Sequence, residues 1–202
     1  MNIYLIIMKR LDTETRKIQI KEAVLQIISS KGLANLSIKN LAKEVGLSEG
    51  ALYRHYNSKK DIIIDIVNDV YNNLVVNQRK DSERNLPASV KLFNYFCNHI
   101  KYLLLNKGIT ILLFSEAAHQ GDTELKKRLL RVLKEQNEIL KMIVTEGIEK
   151  GIWNSSVNLD DFTTIYMGIP VMLNIEMVLE KEKFDYKSFC DRMFVLLEKV
   201  LQ

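Results

Sequence analysis

Between Ser37 and Lys59 the sequence concentrates groups that can bond to phosphates and to the edges of nucleic-acid bases. Ser37, Lys39, Ser48, Glu49, Gly50, Tyr53, Arg54, His55 and Lys59 supply hydroxyls, ammonium groups, a carboxylate, a phenol, a guanidinium, an imidazole and one position without a side chain. Arg54 can read a guanine or bind a phosphate, and Glu49 can accept from a cytosine N4 amino group. A carboxylate facing DNA is otherwise costly, so Glu49 is either a specific contact or turned away. Gly50 lets a backbone approach base edges closely, at a cost of about 1 kcal/mol to a helix that contains it. His55 fits either a phosphate contact or a packed, hydrogen-bonded position between helices.

A second constellation is Ser115-Glu116-Ala117-Ala118-His119, three polar side chains at the end of an apolar stretch. Glu116 and His119 could exchange a proton, but neither a nucleophile nor a metal-ligand partner accompanies them. A solvated helix end accounts for them equally well. The sequence has no GxGxxG, P-loop, HExxH or GxSxG pattern. Cys97 and Cys190 sit inside apolar helical patterns without a CxxC, as core thiols of a reduced compartment and not as a disulfide or zinc site. No enzyme, metal or cofactor is expected.

The elements that must carry these groups are helical. The 202 residues include only 8 Gly and 2 Pro, with 47% hydrophobic and 27% charged residues, an ordinary balance for a folded all-α chain. A first helix starts near Asp12-Thr13, buries Ile20, Val24, Ile27 and Ile28, and ends at Gly32. Ser37 caps a short helix with Ile38, Leu41 and Ala42 inward. After Val45-Gly46-Leu47, Ser48 caps another with Ala51, Leu52 and Tyr56 inward. Two short helices joined by a glycine turn are a helix-turn-helix, and the second is the reader. Ser58 caps a linking helix, 59–80, with the stripe Ile62, Ile66, Val70 and Leu74. Further helices are predicted near 88–106, 109–120, 123–150, 159–180 and 185–201, about nine in all.

Charge follows the same division. Residues 1–60 hold 11 Lys/Arg against 5 Asp/Glu, and residues 61–202 hold 18 against 20. A basic module, 1–58, ahead of a near-neutral one, 59–202, is the footprint of a nucleic-acid reader with a second function behind it. Lys9, Arg10, Arg16 and Lys17 fit an arm along the DNA or a disordered basic tail. Met8 is a plausible start, and the apolar residues before it are too short for a signal peptide. No apolar run approaches the ~20 residues that span a bilayer, so a cytoplasmic protein is expected. The helix over 165–179 is apolar nearly all the way round and the last carries two adjacent apolar stripes, which predicts a homodimer through an intersubunit four-helix bundle unless the other helices of the chain cover them.

The segment from Ser37 to Asp61 closely resembles the signature of TetR-type (TetR/AcrR) transcriptional regulators. The likeness rests on the capped helix, the "aGvs.gtlY.hF" pattern at Val45–Tyr56 and the Ser58-Lys59 tail, and it covers roughly residues 12–63. Leu41, Tyr56 and Lys60 depart mildly from the usual Ile, Phe and acidic residue. The resemblance implies that Tyr53 and His55 hold phosphates, that Lys59 clamps the backbone, and that double-stranded operator DNA is the partner. It implies repression, and a small effector in the C-terminal helices that weakens DNA binding. Residues expected to line that pocket are Phe93, Phe96, Phe114, Met142, Trp153, Tyr166, Met172 and Asn174, with Ser115, Glu116 and His119 as polar contacts. Pro170 frees the carbonyl of Tyr166 as a further acceptor. The apolar composition points to a hydrophobic effector, fatty-acyl or flat aromatic. A C-terminal domain that binds a protein partner is the alternative, and a helical enzyme using Glu116 and His119 the remote one.

Overall fold

The computed structural model describes residues 12–32, 35–106, 109–110, 113–114, 117, 123–179 and 184–202. Ser115, Glu116 and His119, like Lys9 and Arg10, lie outside the described residues. All regular structure among the described residues is helical. The chain divides into two compact units, Met1–Ile63 and Ile64–Gln202.

The first unit contains α1 (Thr13–Lys31), α2 (Ile38–Val45), α3 (Glu49–Leu52) and the first turn of α4 (Lys59–Tyr71). Asp12 starts α1, because its carboxylate accepts the backbone N–H of Thr15 at 2.9 Å and its hydroxyl at 2.6 Å. Those bonds hold the Asp12 carboxyl below its ordinary range. The predicted stripe Ile20, Val24, Ile27 and Ile28 is buried, and α1 packs on α2, which packs on α3. Gly46 ends α2 in the left-handed region (φ 72°), with Leu47 N–H bonded to the Ala42 carbonyl at 2.8 Å. That bond satisfies a carbonyl the helix end would leave open, and only glycine adopts this φ without strain.

The second unit opens with the rest of α4, which runs on without a break into a π turn, Asn72–Asn77, and α5 (Gln78–Ser82). The sequence pattern predicts one regular helix here. Within this segment the Asn73 side-chain amide donates to the Asp69 carbonyl at 2.8 Å, a bond that competes with the backbone ladder. Next come α6 (Ala88–Leu105), the helical residues Ile109, Thr110, Leu113, Phe114 and Ala117, then α7 (Thr123–Glu149), α8 (Leu159–Leu179) and α9 (Tyr186–Leu201). Helix α6 is central, packed against α5, α7, α8 and α9. Its buried Leu92, Phe96, Ile100 and Leu103 meet Leu129, Val132, Ile139 and Ile143 of α7 in the core, each contributing roughly 1.5–3 kcal/mol.

Polar ties fix the register of this bundle. Lys91, only 8% exposed, bonds to Glu146 at 2.7 Å, and Lys150 bonds to the same carboxylate at 2.6 Å. Lys150 and then Lys91 hold the Glu146 carboxyl below its ordinary range. The Tyr71 hydroxyl donates to Glu135 at 2.9 Å and accepts from Arg131 at 2.7 Å, while the Arg131 guanidinium lies 4.5 Å from the Tyr71 ring centre. The hydroxyl of buried Tyr95 donates to the backbone carbonyl of Gln136 at 2.9 Å.

Near the end of α7 the indole of Trp153 lies directly on Gly147. A Cβ at Gly147 would stand 2.1 Å from Trp153 Cε3. Gly147→Ala gains about 1 kcal/mol of helix propensity, but a rigid buried ring cannot yield that distance cheaply. A net loss of about 1–3 kcal/mol is expected from overpacking, read as a lower urea midpoint with altered Trp153 fluorescence. An unchanged midpoint would show that the indole has room to move.

Candidate nucleic-acid interface and effector cavity

The reading helix is set by its caps. Ser48 Oγ accepts the Ala51 N–H at 3.1 Å, and α3 is regular only as far as Leu52. The chain then tightens, with Arg54 N–H bonded to the Ala51 carbonyl at 3.3 Å and His55 N–H to the Leu52 carbonyl at 2.9 Å. This turn buries Leu52 and Tyr56 and leaves Ser48, Glu49, Gly50, Tyr53 and Arg54 exposed. A Cβ built at Gly50 meets nothing within 4 Å, so this stretch of backbone is open to an approaching surface. His55 is half-buried and its Nδ1 has no partner among the described residues.

Caps also order the flanks. Ser37 Oγ accepts the Asn40 N–H at 3.1 Å at the start of α2, with Lys39 exposed beside it. Ser58 Oγ accepts the Asp61 N–H at 3.1 Å, which places half-buried Lys59 in the first turn of α4. An ammonium beside a helix N-terminus suits a phosphate, because open N–H groups and the helix dipole add to its charge. The first unit therefore presents a hydroxyl, a phenol, cations and open backbone on exposed surface, with the apolar side chains turned away.

In the second unit a cavity of about 40 Å³ opens between α4, the π turn, α6, α7, α8 and the helical residues around Thr110. Its apolar wall includes Val70, Leu74, Phe114, Val132, Leu133, Met167, Pro170 and Val171. Four polar side chains face it from buried positions: His99 (4% exposed), Thr110 (6%), Gln136 (3%) and Asn174 (5%). Asn174 Nδ2 donates to Thr110 Oγ1 at 2.9 Å. His99 Nδ1, Gln136 Nε2 and Asn174 Oδ1 are without partners among the described residues. Burial pushes the His99 imidazole down to about 4, so it is neutral at physiological pH.

The cavity brings together Phe114 and Asn174 from the predicted lining set. Phe93 instead meets Phe194 edge-on at 5.0 Å, and Phe96 packs against Tyr166 at 5.7 Å in the core. Trp153 covers Gly147, while Met142 and Met172 are exposed. His99, Thr110 and Gln136 are absent from the predicted set. A signal for two of them exists in the sequence: His99 interrupts the apolar stripe of α6, and Gln136 that of α7, at positions where burial is expected.

A capped two-helix reader with an exposed polar and cationic face, ahead of a helical domain with its own cavity, is the architecture of a helix-turn-helix DNA-binding regulator. Residues 20–66 match the model of the bacterial regulatory proteins of the tetR family, and residues 67–200 that of the YsiA-like C-terminal region. The chain belongs to the TetR family; it is a transcription regulator and not an enzyme. It is 23% identical to the fatty acid metabolism regulator protein of Bacillus subtilis, over 89% of this chain and 92% of that one. It is also 30% identical to the nucleoid occlusion factor SlmA of Haemophilus ducreyi, over 63% of each. The fold is similar to that of the regulator FadR from Bacillus subtilis solved in complex with stearoyl-CoA, with a TM-score of 0.73, 22% identity, and coverage of 92% and 99%. No helix among the described residues is long and apolar enough to cross a membrane.

Two outcomes follow from this geometry. Lys59→Ala is expected to weaken binding to all duplex DNA and to lower the slope of log K against log salt by about one unit. A loss confined to one sequence would assign Lys59 to base reading instead. The second concerns pH. His99 has a folded pKa below its unfolded value near 6.5, so the unfolded chain takes up the proton first and stability falls as pH drops from about 6.5 to about 4. On the order of 3 kcal/mol is lost across that window, and His99→Phe is expected to flatten it in urea titrations at each pH.

Proposed function

We propose that the chain is a dimeric cytoplasmic repressor that a hydrophobic effector releases from its operator. The observation that carries this reading is the ownership of one cavity wall. Val70 belongs to α4, the helix whose first turn holds Lys59, and Leu74 belongs to the π turn that continues it. A molecule pressing on Val70 and Leu74 therefore acts on the element that begins in the reading unit. Ser37, Lys39, Tyr53, His55 and Lys59 would grip phosphates, while Glu49, Gly50 and Arg54 would meet base edges. Phosphate contacts position and base contacts specify.

Dimerisation is supported by the apolar residues that α8 and α9 leave exposed. On α8, Ile165, Met172, Ile175 and Leu179 recur at helical spacing, with Met172 55% and Leu179 76% exposed. On α9, Val195, Leu196 and Val200 are exposed likewise. A second copy would cover both helices and set two reading helices about one DNA turn apart, ~34–36 Å.

The first test is a gel shift of the purified chain on its own upstream DNA, with stearoyl-CoA titrated in because a structural neighbour holds it. Specific binding and its release are expected, and operator must weaken the ligand's affinity by the factor by which the ligand weakens operator binding. Equal ligand affinity with and without operator would overturn the mechanism. Leu179→Lys combined with Leu196→Lys is expected to give a folded monomer by light scattering that no longer shifts operator DNA. A dimer that persists would move the interface elsewhere.

A further inference from the structure

The inner wall of the cavity poses a chemical problem that an alkyl chain does not solve. His99, Gln136 and Asn174 are each more than nine-tenths buried and face the same space. One bond, from Asn174 Nδ2 to Thr110, is made within this group. What remains is a donor at Gln136 Nε2, an acceptor at Asn174 Oδ1, and the Nδ1 of a neutral imidazole that serves as either. These atoms come from α6, α7 and α8, three elements whose other cavity residues are almost all apolar.

Among the described residues no carboxylate or ammonium lines the cavity, and His99 is the titratable side chain in its wall. A buried ionised head would have no opposite charge to meet there, so the site disfavours carboxylates and amines. The volume of about 40 Å³ accommodates roughly three water-sized groups. That is the size of a carboxamide or of a hydroxymethyl group, not of a chain. Half-exposed Val171 and partly exposed Met167 mark where an apolar remainder would leave.

We infer that this cavity recognises a neutral head group that both donates and accepts hydrogen bonds, such as a primary carboxamide or an alcohol, on an apolar body. The head's acceptor takes the N–H of Gln136, and its donor turns to Asn174 Oδ1, with His99 completing the set. This assignment rests on the proposed effector-binding role and narrows the chemistry of that same site. It also predicts that a neutral amide or alcohol outranks a chloroalkane of the same chain length, the reverse of their oil–water partition.

The test uses the full chain and matched probes: hexanamide, hexan-1-ol, hexanoate and 1-chlorohexane, compared by calorimetry at neutral pH. Hexanamide and hexan-1-ol are expected to bind about tenfold or more tighter than 1-chlorohexane and hexanoate, the factor of a single neutral hydrogen bond. Gln136→Leu is expected to reverse the order in favour of 1-chlorohexane. This variant exchanges a buried amide whose Nε2 has no partner for an apolar side chain of similar size, so its urea midpoint should change little. If it fails to fold, Asn174→Leu makes the same comparison. An unchanged order in the folded variant, a preference for 1-chlorohexane or hexanoate in the native chain, or no binding of any probe at about 1 mM would each overturn the assignment. Release of operator DNA by stearoyl-CoA is scored separately, so the head-group inference can fail while the effector-binding role stands.

Discussion

One continuous helical stretch, from Lys59 to Ser82, has to meet different demands along its length. Its first turn is capped by Ser58, whose Oγ accepts the Asp61 N–H, and carries half-buried Lys59. Its middle has to bury Ile62, Ile63, Ile66, Val67 and Val70. Its far end has to yield enough regularity for a π turn at Asn72–Asn77, where Leu74 and Val75 are buried and Asn73 occupies the Asp69 carbonyl. Beside that irregular stretch, Tyr71 is anchored to Arg131 and Glu135 of α7.

The buried polar groups of the larger unit are energetically significant. Each buried donor or acceptor left without a partner costs about 1–3 kcal/mol. Three of them in one cavity approach the whole stability of a typical domain, about 5–15 kcal/mol. Apolar side chains at positions 99, 136 and 174 would fill the same volume without that penalty. Stability alone therefore does not account for this chemistry. Tyr95 belongs to the opposite case: its hydroxyl is buried but donates its proton to the Gln136 carbonyl, so it ties two helices together.

Local physics makes the reading unit legible in the amino-acid sequence. Ser37, Ser48 and Ser58 each cap the helix they precede, Gly46 takes the left-handed turn, and Leu52 with Tyr56 face inward. Each of these features is decided within four or five residues, which is the range a sequence pattern can see. The cavity is decided by how several elements pack in register. Aromatic type announces volume and not location, so Phe93, Phe96 and Trp153 are equally good candidates but go to Phe194, Tyr166 and Gly147. A better signal is the wrong residue in the right place, as with His99 and Gln136 on buried stripes. The π turn has no periodic signature at all, because its buried Leu74 and Val75 keep an ordinary apolar pattern.

The size of the cavity bears on how an effector would be transduced under the proposed function. At about 40 Å³ it is too small for an acyl or aromatic body, so accommodating one means displacing wall residues. A ligand can shift a two-state equilibrium only by its difference in affinity for the two states, and about 5.5 kcal/mol carries a population from 1:99 to 99:1. That free energy is delivered to whichever wall gives way first. On one side stand Val132, Leu133 and Gln136 in a regular helix, tied down through Tyr95, Tyr71 and Glu135. On the other stand Val70 and Leu74, just before and within the segment whose backbone ladder is already widened. The wall formed by Val70 and Leu74 is continuous with the helix that carries Lys59.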